Sequence, residues 1–255
     1  MAWPRVSKKG FFLSGQKAQV LLIHGYTGSP YDLRILGDFL HKEDFLVEAL
    51  LLKGHGKKPE HIHDATALDW ISQGRKALEK FDKKKPIIVG GLSMGGLIAM
   101  VLAAEQKIDA LLLFSPSLRL LSLAEITLFA AEAGLLNKNI SIKKMSGSDI
   151  ADPIAKAKTP SLKEMPVSGL LELSKLRTLA KNCMGAISCP IFLAFGKNDQ
   201  AIDAISSHQM ILQGCPNAVI FSKTYEKSKH VITLDYDKEQ LFLDVLQFLH
   251  QQLGI

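Results

Sequence analysis

The sequence predicts an α/β fold, a mostly parallel sheet with helices on both faces. Three observations lead there. Short apolar runs that read as buried strands (Val20 to Ile23, Ile87 to Val89, Ile191 to Phe195) each stop at glycine or at His-Gly. Helical patterns alternate with them, and that alternation implies parallel pairing through crossovers. Polar residues able to do chemistry follow these strands directly, at the carboxyl edge where a parallel sheet gathers its functional groups.

Taken in order, Phe11-Phe12-Leu13 reads as a short edge strand, and Val20 to Ile23 runs straight into His24-Gly25-Tyr26-Thr27-Gly28. From Tyr31 to Phe45 the apolar residues Leu33, Leu36, Phe39 and Leu40 mark one helical face. Phe45 to Leu52 is again a strand, ending at Gly54-His55-Gly56. Thr66 opens a helix, and Asp69 three residues on completes a capping box. The Ile87 strand follows. The helix from Gly95 to Glu105 is apolar nearly all round, as expected of one packed deep against a sheet. Ile108 to Phe114 is the next strand.

Alternation stops at about Ser115. Up to Ser188 the pattern is helical, at Leu123 to Leu136 and Gly169 to Leu179, with Pro153, Pro160 and Pro166 between and no strand signal. We read this stretch as an insertion above the strand ends. It divides the chain into a core, residues 1–116 and 189–255, and a helical cap, residues 117–188. Beyond it come the Ile191 strand, a helix around Ser206 to Leu212 and a strand from Ala218 to Phe221. The last helix runs from Lys238 to Leu253, with Leu241, Val245, Leu249 and Leu253 on one face.

Composition narrows the class. At 255 residues, with 47% hydrophobic and 22% charged, the chain suits one large soluble domain carrying an insertion. Arg119, Glu125 and Glu132 interrupt the Leu-rich region, so no membrane span is expected. The first residues lack the apolar core of a signal peptide. Three cysteines, Cys183, Cys189 and Cys215, argue against a disulfide framework and suit a reducing cytoplasm. The net charge of +6 comes from scattered lysines. Their one run, Lys83-Lys84-Lys85, follows a helix end, where cations favour the dipole. Nucleic acid is therefore not an expected partner.

The chemistry centres on Gly91-Leu92-Ser93-Met94-Gly95: a strand, a turn too tight for side chains, then a helix. Gly91 and Gly95 flank Ser93 where a Cβ would collide, which holds the serine strained and exposed as a nucleophile. The helix that follows aims its first N–H groups at a developing oxyanion. Asp199, in Gly196-Lys197-Asn198-Asp199, and His230 each follow later strands. In this order His230 would deprotonate Ser93, while Asp199 holds the imidazole tautomer and stabilises its cation. Asp203 is the competing acid but sits late for a strand-end loop, and His208, the competing base, falls inside a helix.

The loop after the Val20 strand supplies the second feature. The backbone N–H groups of Tyr26 and Met94 are the candidate oxyanion hole. Beside them His24 reads as a structural histidine bonded to neighbouring loops. The side chains of Tyr26 and Met94 are candidate substrate-binding groups. So are Leu128 and Phe129, from the apolar start of the insertion (Leu118, Leu120, Leu121, Leu123, Ile126), which is expected to wall an acyl cleft. His61-Ile62-His63-Asp64 has two histidines at metal-ligand spacing but no further ligand at useful spacing, so no metal is expected.

HGYTG, LKGHG, GLSMG, GKND and KHVITLD, in this order, resemble the bacterial carboxylesterases and monoacylglycerol lipases of the α/β-hydrolase superfamily. The resemblance spans nearly the whole chain apart from the insertion. It implies the α/β-hydrolase fold, with serine, acid and histidine at Ser93, Asp199 and His230. It also implies oxyanion donors at Tyr26 and Met94 and a lid over the acyl pocket. Glycine often precedes the histidine in that family. Here Lys229 does, adding a cation expected to push the titration of the base lower. The expected activity is hydrolysis of a small-molecule ester, a short-to-medium acyl ester or monoacylglycerol, through an acyl-enzyme and without a cofactor. An acyl thioesterase is the alternative, since the same site cleaves thioesters, with a non-catalytic ligand-binding homologue behind it. The oligomeric state is not readable from these residues.

Overall fold

The computed structural model describes residues 3–145 and 147–255, and of Ser122 and Leu123 the backbone only, so the expectation for the Leu123 side chain lies outside it. The chain runs β1 (Phe11–Leu13), β2 (Gln19–Ile23), α1 (Arg34–Lys42), β3 (Leu46–Leu50), α2 (Ala67–Glu79), β4 (Ile87–Leu92), α3 (Met94–Glu105) and β5 (Ala110–Phe114). The intervening segment carries α4 (Ser122–Glu132), β6 (Ser141–Lys143), α5 (Pro153–Lys158), β7 (Glu164–Pro166) and α6 (Val167–Cys183). It returns to β8 (Ile191–Gly196), α7 (Ala204–Gly214), β9 (Ile220–Tyr225) and α8 (Lys238–Leu253).

The main sheet has the order β1-β3-β2-β4-β5-β8-β9. Only β1 pairs antiparallel; every other neighbouring pair is parallel. β3 lies on one side of β2 and β4 on the other, so strand order reverses between β2 and β4. A crevice opens at such a reversal, outside the carboxyl ends of the strands. The His24 loop and Ser93 emerge there.

The strands form because both faces of the sheet are covered. All six residues of β4 and all five of β2 are buried, which explains their continuous apolar runs. Alternate residues of β2 divide between two cores. Leu21 and Ile23 pack with Trp70, Val89, Leu97 and Leu113, while Val20 and Leu22 pack with Leu36, Ile88, Leu112 and Phe242. α3 buries ten of its residues, Met94 through Ala103. Thr66 caps α2 as its spacing predicts, accepting from Asp69 N while the Asp69 side chain accepts from Thr66 N. Lys83 Nζ closes the far end of α2 by donating to Leu78 O at 2.7 Å.

Three features depart from expectation. A 3-10 turn at Pro30–Leu33 precedes α1. β9 starts at Ile220 and extends to Tyr225, because Ala218 is taken up in a turn onto Cys215 O. The insertion also contains a two-stranded antiparallel sheet, β6 with β7. Strands of three residues are too short for a period to show.

Nor does the segment rest lightly on the core. Leu173, Leu176 and Ala180 of α6 belong to the same core as α3. Buried Arg177 donates to Leu118 O at 3.1 Å and to Glu125 Oε1 at 2.5 Å, tying α6 to α4. The apolar start of the segment splits accordingly: Leu118 and Leu128 are buried, whereas Leu121, Ile126 and Phe129 are exposed. Among the described residues, no helix is long and apolar enough to cross a membrane.

Candidate active site

Ser93 joins β4 to α3 at φ 56° and ψ −116°, a left-handed conformation that a non-glycine residue adopts at a cost. Its neighbours enforce it. A Cβ on Gly91 would run into the carbonyl oxygen of Gly95, and one on Gly95 into the carbonyl oxygen of Ile23. Strand, turn and helix therefore close only around two glycines. Ser93 N donates to Phe114 O at 2.8 Å, fixing the elbow to β5. A Cβ on Gly25 would lie 3.2 Å from Ser93 Cβ and 3.8 Å from its Oγ. The His24 loop thus lies directly against the serine.

That loop is pinned from both sides. His24, fully buried, shares a hydrogen bond with Gly25 O through Nδ1 at 2.9 Å and accepts Leu52 N at Nε2, 3.2 Å away. Burial, then the neighbouring His55, drives its pKa down to about 3, so it stays neutral and structural. Thr27 sits at φ 60°. Its carbonyl accepts Leu162 N at 2.9 Å, and its hydroxyl oxygen accepts Lys144 Nζ at 3.0 Å.

Tyr26 lies in the loop after β2, and Met94 directly follows Ser93. Met94 is the first residue of α3, so its N–H has no carbonyl of its own helix to bond. The side chains go elsewhere. Met94 is fully buried in the α3 core. Tyr26 Oη donates to Pro166 O at 2.6 Å, and its ring meets His55 edge-on. Leu128 faces the main core, but Phe129 is 67% exposed. α4 turns Leu128 and Ala131 inward and leaves Phe129 and Ile126 toward solvent, and Ile126, Leu128 and Phe129 together line a surface cavity with Glu125, Glu132 and Arg177.

Asp199 and His230 meet. Asp199 Oδ2 accepts His230 Nδ1–H at 2.7 Å, while Oδ1 accepts Ala201 N and Ile202 N at 2.8 and 3.0 Å. The competing residues stay apart. Asp203 caps α7 through Ser206 N, and His208 lies within α7 against the Phe195 ring. His61 and His63 belong to a 3-10 turn, and His63 Nδ1 bonds Ser168 Oγ at 2.7 Å. Among the described residues no cluster of His, Cys, Asp or Glu could hold a metal.

Electrostatics shape the pair. Burial pulls His230 down, but the charge of Asp199, its hydrogen bond and the charge of Asp149 outweigh burial and the opposing Lys144, so the imidazole lies above its ordinary value. Burial pushes Asp199 up, and the His230 charge and hydrogen bonds override it to leave the carboxyl low. The expectation that Lys229 lowers His230 is thereby corrected. Lys229 Nζ turns to Gln200 Oε1 at 3.0 Å and Asp149 Oδ1 at 3.5 Å, so its charge is compensated.

Sequence reasoning missed Asp149, Lys144 and the anchoring role of Asp235. Asp235, fully buried, accepts Lys229 N, Ala151 N and Asp152 N, each at 2.8 Å. Thr233 Oγ1 donates to Asp32 O at 2.6 Å, drawing the His230 loop back toward the loop after β2. Asp235 lies within KHVITLD, and that run was its only signal.

A family profile described as Hydrolase_4 (serine aminopeptidase, S33) matches residues 14–237. The thermostable monoacylglycerol lipase of Bacillus sp. strain H-257 is 27% identical over 247 residues, covering 96% of this chain and 95% of that protein. The carboxylesterase of Bacillus subtilis strain 168 is 28% identical over 249 residues, covering 96% and 98%. A solved structure reported with the metagenome-derived lipolytic enzymes LipS and LipT superposes with a TM-score of 0.84 at 25% identity, covering 96% of this chain and 98% of the other.

Proposed function

The chain belongs to the serine aminopeptidase (S33) family of α/β-hydrolases, and from that premise we propose that it is a serine carboxylesterase. Its substrates are short-to-medium acyl esters or monoacylglycerols. The observation that carries the reading is the strained Ser93 on the same sheet edge as a 2.7 Å Asp199–His230 pair. In this reading His230 donates Nδ1–H to Asp199, which leaves Nε2 to take the proton of Ser93 as Oγ attacks the ester carbonyl. The oxyanion rests on the N–H groups of Tyr26 and Met94. Collapse expels the alcohol, which receives the proton from His230. Water activated by the same imidazole then releases the acid and restores Ser93. Apart from the ester and water, the groups named in this cycle are residues of the chain.

A carboxylate without other partners is one way to hold the terminal ammonium of a peptide, and two carboxylates near these loops are already engaged. Asp149 already accepts two backbone N–H groups beside Lys229. Asp32 accepts Ser29 N and Thr159 Oγ1, and burial raises it to about 6. These engagements support ester over peptide cleavage, as do the names of the two Bacillus relatives. Residues 117–188 act as the cap, contributing Leu128 to the apolar floor, and the three free cysteines support a cytoplasmic location. Ser93→Ala should abolish p-nitrophenyl ester hydrolysis and labelling by a fluorophosphonate while the protein stays folded. A folded variant keeping a tenth of the activity would refute the assignment.

A further inference from the structure

Between the triad-bearing loops stands a carboxylate that neither loop supplies. Asp149 lies in the segment between β6 and α5, eighty-one residues from His230. Its Oδ2 accepts Gln200 N at 2.8 Å and His230 N at 3.3 Å. Its carbonyl accepts Val231 N at 3.1 Å, and its Oδ1 lies 3.5 Å from Lys229 Nζ. One residue of the insertion therefore holds the backbone directly after Asp199 and the backbone on both sides of the His230 carbonyl. Asp235 anchors the stretch from below, gripping Ala151 N, Asp152 N and Lys229 N, and Lys238 approaches Asp152 at 3.8 Å.

We propose that Asp149 is a positioning residue for the hydrolytic site: it fixes the Asp199 and His230 loops relative to each other, and its negative charge stabilises the imidazolium formed in each proton transfer. This rests on the serine-hydrolase reading above. Two backbone N–H groups from different loops converge on one carboxylate oxygen, an arrangement that tolerates little relative movement of those loops. Charge-assisted hydrogen bonds of this kind are about twice as strong as neutral ones. The charged groups around His230 are Asp199, Asp149 and, opposing them, Lys144 and Lys229, which shares the Asp149 carboxylate at 3.5 Å. A carboxylate near the base favours its protonated form. Removing that charge lowers the pH at which His230 titrates.

Asp149→Asn keeps the shape and one acceptor but removes the charge. The expected result on p-nitrophenyl butyrate is a fall in kcat of roughly 3- to 30-fold with KM within about twofold, together with an acid limb of the pH profile displaced to lower pH by about half a unit. Asp149→Ala should fall further in kcat with the same displacement; if it does not fold, Asp149→Asn decides alone. Glu172→Gln is the control for general docking of the segment, because Glu172 binds Ala67 N and Lys175 Nζ rather than the Asp199 or His230 loop; its acid limb should not move. An Asp149→Asn enzyme with wild-type kcat and limb overturns the proposal, as does a Glu172→Gln enzyme showing the same displacement. Ser93→Ala, assayed in parallel, separates the two readings: residual activity there refutes the serine mechanism, whereas a dead Ser93→Ala with an unshifted Asp149→Asn refutes only the role of Asp149.

Discussion

The carboxylate of Asp199 uses its two oxygens for different tasks: Oδ2 takes the Nδ1–H of His230 at 2.7 Å, and Oδ1 takes Ala201 N and Ile202 N. The oxygen that serves the imidazole is thus held by hydrogen bonds on its twin. Asp199→Asn should lower kcat by roughly 10³- to 10⁴-fold, since an amide facing Nδ1 favours the wrong tautomer. Asp203→Ala removes the N-cap of α7 and should cost about 1 kcal/mol of stability with activity within a few-fold. Steady-state kinetics and thermal melting of the two variants check this; the opposite ranking of activities would move the acid to Asp203.

Gly91→Ala and Gly95→Ala test the elbow rather than the nucleophile. Each new Cβ would meet a backbone carbonyl oxygen that cannot turn aside. We expect each to destabilise the protein by about 3 kcal/mol, seen in urea unfolding. Ser93→Ala, at the same turn, should change stability by under about 1 kcal/mol.

Because His230 is held above its ordinary 6.5, kcat/KM should fall with acidity along a limb lying above that value. The sign for stability is opposite to that for activity. The imidazolium–Asp199 pair contributes fully below 6.5 and fades as pH rises through the raised value, where the neutral, active imidazole takes over. Initial-rate profiles between pH 5 and 9 locate the limb; a midpoint below 6.5 contradicts the electrostatics.

Lys144 supplies the opposing charge. Burial lowers it from 10.5 to about 8, with Asp32 holding it up. Between those two values the unfolded chain binds the extra proton, so this residue makes stability climb as pH rises from 8 to 10.5. Lys144→Met should remove that climb in denaturant titrations. It should also move the acid limb of activity upward, opposite in sense to Asp149→Asn.

If the acyl chain is enclosed by apolar side chains such as Leu128, each methylene buried contributes about 0.8 kcal/mol, or roughly fourfold in kcat/KM. A p-nitrophenyl series should rise from acetate to a maximum at short-to-medium length and then decline. Flat specificity from acetate to decanoate would remove the acyl cleft from the mechanism. Running thioesters of matched length alongside decides between ester and thioester preference.

The legible parts of the sequence were those governed by local rules. The elbow shows itself because two glycines are required at fixed offsets from Ser93. The start of α2 shows itself because Thr66 and Asp69 bond each other. α8 matches its expected range, Lys238–Leu253, because one apolar face must cover the sheet. Asp199 and His230 are singled out in the sequence by their places after strands, and the fold brings them within 2.7 Å of each other. What remained hidden depends on long-range partners. Asp149 looks like any polar loop residue until the chain folds back across it, and Arg177 reads as a surface cation until Leu118 O and Glu125 surround it. Nor does an apolar run say which of its members a weakly amphipathic helix turns inward, as Leu128 and Phe129 of α4 show by parting.

The Asp235 clamp bears on the order in which the molecule matures. Synthesis proceeds from the amino end, and Ala151 and Asp152 are made 84 and 83 residues before the carboxylate that holds them. β2, β4, α3 and β5, which build the elbow and its oxyanion loop, can associate while those two residues still lack their anchor. β9 and the His230 loop come later still, and contacts between distant parts of a chain are the slow ones to form. A nascent chain therefore holds the Ser93 elbow well before the Asp199–His230 pair proposed to serve it. Hydrolytic competence is among the last properties this polypeptide acquires.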